Sequence, residues 1–333
     1  MFTARTLTVG AVAATVALAA SACGSSTADD DAADWTPSKP IEMIAPAATG
    51  GGWDTLARTT GRLLEENDLI DQQMRVVNKP GAGGAIGWAY IANNAGDPHK
   101  LFVTSPPILL VPLSGASDHD HTDFTPIARL ATDAMAFMVA EDSPYESIED
   151  VVEALRDDPS SVSVAGGSSP GSMDHVAAAG AFDAAGVDAS QLNYVAFDGG
   201  GEATTALLGG HVDLAVSGAG ESTGLVDGGK VRVLAVSSPE QVPVLPDAPT
   251  LQDAGIDYTF DIWRGVMGPA DLTDTQVSYY ESAYQKLSET EAWQTEMEKY
   301  GWVDSFQGSE DFGTFLDEQQ AEFEDILTDV GLR

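Results

Sequence analysis

The sequence predicts an α/β fold built as two α/β lobes, and three observations predict it. Short β-rich runs alternate with amphipathic stretches along most of the chain, the pattern of strands joined by helices. Several of those runs end in Gly- or Ser-rich loops that open directly into the next amphipathic stretch. The roughly 300 residues that follow the N-terminal leader exceed what one hydrophobic core usually holds.

The first strand is the apolar run 41–45, stopped by Pro46, and the amphipathic stretch 53–66 follows it. Strands at 74–78 and 101–105 flank a helix at 84–94. The runs 126–131 and 135–140 read as two separate strands. Beyond them come strands at 162–165, 192–196, 212–217, 231–237 and 258–267, with helices at 148–157, 172–185 and 202–208. Helices at 276–287, 291–300 and 311–327 close the chain. Helices between strands imply parallel sheets. Asp142-Ser143-Pro144 has the composition of a linker and is expected to mark one crossing between lobes. The closing helices are expected to return to the first lobe.

The densest signal lies in Pro40 to Asp54, PIEMIAPAATGGGWD. A strand, three consecutive glycines (Gly50, Gly51 and Gly52) and a helix start follow one another there. Such a junction presents unpaired backbone N–H groups and the positive end of a helix dipole, which together seat a small anion. Comparable junctions stand at 104–107, 166–174, 198–202 and 217–221. Ligands of open α/β sheets gather beyond the carboxyl ends of the strands, so these loops are expected to share a cleft. Backbone donors carry no titrating group, which implies binding nearly flat between about pH 6 and 8. A β-branched residue in place of Gly51 is expected to abolish binding.

Residues 1–22 read as a lipoprotein signal peptide. Arg5 supplies the basic n-region, and residues 7–20 form an apolar h-region too short for a comfortable membrane span. Ala20-Ser21-Ala22 precede Cys23, the one cysteine of the chain. That arrangement resembles a bacterial lipobox, which implies lipidation of Cys23 and an exported chain held to the outer face of the cytoplasmic membrane. Residues 23–35 are small, polar and acidic, and read as a flexible tether.

The chain carries 52 Asp and Glu against 15 Lys and Arg, a net charge of −37. This excludes nucleic acid as a partner. It does not exclude an anionic ligand, because a Debye length of about 8 Å at physiological ionic strength lets local N–H donors dominate the distant field.

Other motifs carry less. Gly167-Ser168-Ser169-Pro170-Gly171 has the G-x-S-x-G form of a hydrolase nucleophile elbow. The oxyanion hole of that elbow needs the N–H of the residue after the nucleophile, and Pro170 has none. Gly81-Ala82-Gly83-Gly84-Ala85-Ile86-Gly87 resembles a dinucleotide fingerprint with its third glycine one place late, and reads better as a turn packing a helix on a strand. Asp118-His119-Asp120-His121-Thr122-Asp123 has metal-ligand chemistry but no further ligand nearby, so no metal and no cofactor is assigned. His175, three residues after Ser172, is read as a structural hydrogen-bonding group. Arg264, beside Trp263 in an apolar run, either pairs with an acid such as Asp261 or faces the cleft.

Six segments, PSKPIEMIAPAATGGGWDTLAR, VVNKPGAGGAIGWAYIA, GSSPGSMDHVA, LLGGHVDLAVSGAGE, VRVLAVSS and LPDAPTLQDAG, resemble in order the periplasmic binding component of tripartite tricarboxylate transporters, the Bug or TctC family. The resemblance implies a type II periplasmic-binding fold, with lobe 1 at 36–136 and 265–333, lobe 2 at 137–264, and a crossover hinge. It implies a solute-binding protein, not an enzyme, that captures a small di- or tricarboxylate for two integral-membrane permease subunits, as a monomer. Carried onto this chain, the first clamp loop is Ala47, Ala48, Thr49, Gly50, Gly51 and Gly52 with Asp54. The second is Ser168, Ser169, Gly171 and Ser172 with Asp174. Ser105, Asp198, Gly199 and Gly200 would line the walls, and Arg264 would join them. Ala47, Thr49, Asp174 and Asp198 depart from the family's usual residues. A sensor component with the same cleft, and an amino-acid binder using Asp54, Asp174 or Asp198 against an ammonium, are the alternatives.

Overall fold

The computed structural model describes residues 35–332, so the signal peptide, Cys23 and nearly all of the tether lie outside the described residues. The chain opens with β1 (Ile41–Ala45), α1 (Gly52–Glu66), β2 (Met74–Asn78), α2 (Ala85–Ala92), β3 (Lys100–Thr104) and α3 (Pro107–Leu113). A long strand follows, β4 (Phe124–Ala140). Then come α4 (Ile148–Asp157), β5 (Ser163–Gly166), α5 (Met173–Ala184), β6 (Asn193–Ala196), α6 (Gly200–Leu208), β7 (Leu214–Gly218), α7 (Ala219–Asp227) and β8 (Val231–Val236). The chain closes with β9 (Asp261–Pro269), α8 (Asp274–Ser288), α9 (Glu291–Tyr300), β10 (Val303–Gln307) and α10 (Ser309–Asp329).

The strands run in the order β2-β1-β3-β9-β4-β7-β5-β6, with β10 and β8 also paired to β4. The flanks are parallel, as expected from strands separated by helices: β1 with β2 and β3, and β5 with β6 and β7. The centre is not. β9 lies antiparallel to both β3 and β4, and β4 lies antiparallel to β7 and β8.

The two runs read as separate strands are one. β4 pairs with β9 from Phe124 to Ala134 and with β7 from Met135 to Met138. The change of partners therefore falls inside a strand, at Ala134 and Met135, and not at Asp142-Ser143-Pro144, which lies beyond the end of β4. Polar Thr132 and Asp133 interrupt the apolar run without breaking the backbone, because both edges of β4 are hydrogen-bonded there. Register shifts near Pro126 and between Arg129 and Ala131 bend the strand along its first half.

One core layer joins β1, α1 and the first half of β4 to Tyr280, Tyr284 and Trp293 of the closing helices. Another packs Ala203 and Leu207 of α6 on the second half of β4. The glycine-rich turn before α2 serves packing: a Cβ on Gly87 would lie 2.7 Å from Cβ of Pro46. In the acidic loop, His121 pairs with Asp317 at 3.0 Å and His119 with Asp123 at 3.1 Å, while Asp120 caps the turn.

Candidate ligand-binding site

A cavity of about 480 Å³ opens where β4 changes partners. Gly50, Gly52 and Thr55 line it from the start of α1, and Gly200, Gly201 and Thr204 from the start of α6. Ser217 and Glu221 come from the junction of β7 and α7, Asp133 and Arg264 from β4 and β9, and Tyr300 and Trp302 from the C-terminal side. Two of the helices thus aim their positive ends at one space.

The charges in this space are unequal. Arg264 is buried and its Nη2 lies 2.5 Å from Oδ2 of Asp133, which is also buried. The second Asp133 oxygen accepts from the Ala134 N–H at 2.8 Å. The Arg264 guanidinium lies 4.9 Å from the Trp302 ring, and its Nε has no hydrogen-bond partner. Glu221 stands near Arg264, both reaching the same face of Gly52, and Ser217 Oγ lies 3.1 Å from its Oε2. Enclosure by protein raises the Glu221 carboxyl above the ordinary range; Arg264 opposes this, Asp133 adds to it, and the Ser217 hydroxyl and Gly52 N–H oppose it. Glu221 is solvent-exposed, so desolvation acts less completely there than on a sealed group.

The glycines give this carboxylate its room. A Cβ on Gly52 would lie 2.7 Å from Arg264 Nη1 and 2.9 Å from Glu221 Oε1, and one on Gly200 would lie 2.8 Å from Glu221 Oε2. Gly51 is different: its Cβ would meet only the Ala48 carbonyl, at 3.9 Å. The crowded position is Gly52, and the substitution expected to abolish binding moves one residue along.

Asp54 holds the first loop from below. Its oxygens accept from the Gly50 N–H and Arg58 Nε at 2.9 Å and from Asn78 Nδ2 at 2.8 Å. Burial alone would raise its pKa, but these bonds outweigh it and keep the carboxyl below the usual range. Asn78 also donates to the Ala47 carbonyl at 3.0 Å. Ala48 and Thr49 are exposed, and Ser105 is buried, accepting from Trp53 Nε1 at 2.9 Å.

The loop 167–172 stands beside the cavity and not among the residues lining it. Ser168 Oγ caps α5 by accepting from the Asp174 N–H at 3.0 Å, and its carbonyl accepts from Tyr194 Oη at 2.8 Å. Gly171, at φ +75, donates its N–H to Nδ1 of His175 at 3.0 Å. His175 stacks on Tyr194 at 4.2 Å, and burial lowers its pKa to about 4, so it stays neutral. The Ser169 and Ser172 hydroxyls are buried without a hydrogen-bond partner, and Ser169 Oγ would lie 3.1 Å from a Cβ on Gly83. Asp198 is exposed and precedes Gly199, the N-cap of α6.

Asp174 is sealed in, and burial raises its carboxyl to about 7, with Glu221 adding to the rise and bonds from Ser168 and Gly167 opposing it. A titrating carboxyl beside the cavity departs from the pH-flat site that backbone donors alone imply. Because its folded pKa lies above the ordinary aspartate value of 3.8, the stability Asp174 contributes is full below that value and is lost as pH rises through about 7. Asp174→Asn is therefore expected to be more stable than wild type at about pH 8, with the advantage shrinking towards about pH 4. Paired urea titrations check this, and the subtraction cancels the opposite-signed effect of His175.

Arg264 answers the question posed by its sequence position in a way that combines both readings. It pairs with an acid and it faces the cavity, but the acid is Asp133, while Asp261 sits by Arg129. Asp133 and Glu221 were not singled out from the sequence. The signal for Asp133 was a lone acid inside the buried run of β4. The signal for Glu221 was its place in the first turn after β7.

The model of the tripartite tricarboxylate transporter family receptor matches residues 62–332. A UPF0065 protein from the tcbD-tcbE intergenic region of Pseudomonas sp. strain P51 is 31% identical over 245 residues, covering 71% of this chain and 70% of the relative. A TctC solute-binding protein from Polaromonas, solved without ligand, is 30% identical at a TM-score of 0.66, covering 88% of this chain and 99% of its own. An R. palustris protein solved with adipate has a TM-score of 0.81 at 22% identity, over 89% of this chain and 98% of its own, and shows the same fold. The family match begins inside α1 and carries through α10, so it includes every residue lining the cavity except Gly50, Gly52 and Thr55. This chain belongs to the tripartite tricarboxylate transporter receptors, the TctC family of extracytoplasmic solute-binding proteins.

Proposed function

We propose that the chain captures a small carboxylate, of the di- or tricarboxylate class, in the 480 Å³ cavity and delivers it to the integral-membrane permease subunits of its transporter. The observation that carries this reading is the convergence of the α1 and α6 N-termini with the Arg264 guanidinium on one cavity. Gly50, Gly52, Gly200, Gly201 and Arg264 are the primary ligand residues. The glycines at 50–52, the half-buried Ala47 and the exposed Ala48 and Thr49 form the first clamp, with Asp54 holding its shape. The Ser169 and Ser172 hydroxyls, buried and unpartnered, supply the second clamp together with Ser168, Gly171 and Asp174. Gly199 and Asp198 set the rim of α6, and Ser105 supports Trp53.

In this reading residues 36–136 with 265–333 and residues 137–264 are the two lobes, and closure bends β4 where its partners change. Cys23 carries the lipid that holds the receptor at the outer face of the membrane. Calorimetric titration with citrate, tricarballylate, succinate, glutamate and phenyl-carboxylates is the test. At least one of these is expected to bind saturably at one site, and a ligand at a hundred times its Kd should add about 2.7 kcal/mol of stability. A panel with no saturable binder, alongside a folded protein, would refute the reading.

A further inference from the structure

The charges of the cavity point to a ligand that is not purely anionic. Its charged lining residues are Asp133, Glu221 and Arg264. Arg264 and Asp133 form a close pair, so the guanidinium's charge is matched before any ligand enters. Glu221 faces the space with Ser217 and Gly52 as its hydrogen-bond partners, and the Arg264 charge nearby is already paired to Asp133 and offsets it only in part. The Glu221 oxygens lie against Gly52 on one side and Gly200 on the other, between the two helix N-termini read from the sequence as the anion seat. Part of that seat is already held by a carboxylate of the protein itself. A plain dianion would bring more negative charge into a space that lacks a free cation. An ammonium would instead neutralise Glu221, leaving Gly201 at the α6 N-terminus and the Thr55 and Thr204 hydroxyls for a carboxylate.

We propose that Glu221 is the specificity-determining residue of this cavity and selects carboxylates that also carry an ammonium group, such as an amino dicarboxylate, over the corresponding plain acid. This rests on the carboxylate reading given above and narrows it. Glu221 accepts a charge-assisted hydrogen bond from the ligand's ammonium, and the neutral donors receive its carboxylate.

Isothermal titration of wild type and Glu221→Gln with L-aspartate and succinate, which share a carbon skeleton and differ by the ammonium, tests the inference. Glutamate and glutarate repeat the comparison one methylene longer. Wild type is expected to bind the amino acid about 10- to 100-fold more tightly than its plain partner. Glu221→Gln is expected to lose most of that ratio by weakening the amino acid. Glu221→Asp, which keeps the charge, should restore part of it. A wild-type preference for succinate or glutarate, or a ratio unchanged in Glu221→Gln, would overturn the inference while leaving the carboxylate reading intact. Absence of binding by all four acids to wild type, with every other carboxylate of the panel also inert, would overturn both. The wild-type ratio decides the matter even where a variant folds poorly.

Discussion

Gly52→Val is expected to weaken ligand binding by more than about 100-fold, about 2.7 kcal/mol, while leaving the protein folded. The added Cβ would enter the space of the Arg264 guanidinium and the Glu221 carboxylate, at 2.7 and 2.9 Å. Those atoms are the ends of long side chains, so the backbone need not move. What must move is the ion group that forms the cavity wall. Gly52 is the first residue of α1, so a side chain there costs the helix little. Gly51→Val is the matched control, because its Cβ meets only a carbonyl at 3.9 Å. Calorimetry on the two variants, with unfolding midpoints measured in parallel, checks the pair. Equal loss in both would mean that the glycine run acts through flexibility and not through room for Arg264 and Glu221.

The second large effect concerns stability. Arg264→Met would leave Asp133 sealed without its partner, and breaking a buried pair from one side costs about 3 to 5 kcal/mol. Replacing both partners is much milder than replacing one. Asp133→Asn with Arg264→Met is therefore expected to recover most of the loss in urea denaturation, with the denaturant slope unchanged. The double variant should still bind ligand poorly, since the cavity has lost its guanidinium. If the single and double variants were equally unstable, the pair would not be the member holding β4 to β9 at this point.

The flanking elements were legible from residue pattern because they bury one face. The 41–45 run, the helix to Glu66 and the strand at 74–78 agree with β1, α1 and β2 to within a residue. The centre was harder to read for a physical reason. Thr132 and Asp133 look like a break in an apolar run, and only tertiary pairing on both edges carries the backbone through them. The antiparallel placement of β9 depends on contacts far away in sequence, which periodicity does not encode. The Pro170 argument against a hydrolase agrees with membership of a receptor family, and the glycine run of 50–52, two of whose members line the cavity, was visible in the sequence. The acid beside it was not, because Glu221 reaches the cavity from another strand end. Single residues at strand ends carry no periodic signal, so Asp133, Glu221 and Trp302 emerge only once the chain is folded.

The most direct test is on the backbone amides themselves. Protein labelled with ¹⁵N at glycine, titrated with the carboxylate that calorimetry shows to bind, is followed amide by amide. The largest shifts are expected at Gly52, Gly200 and Gly201, where the starts of α1 and α6 face the cavity, with distant glycines such as Gly96 and Gly186 unmoved. Shifts confined to other glycines, with Gly52, Gly200 and Gly201 unchanged at saturation, would contradict a carboxylate seat at these two helix starts.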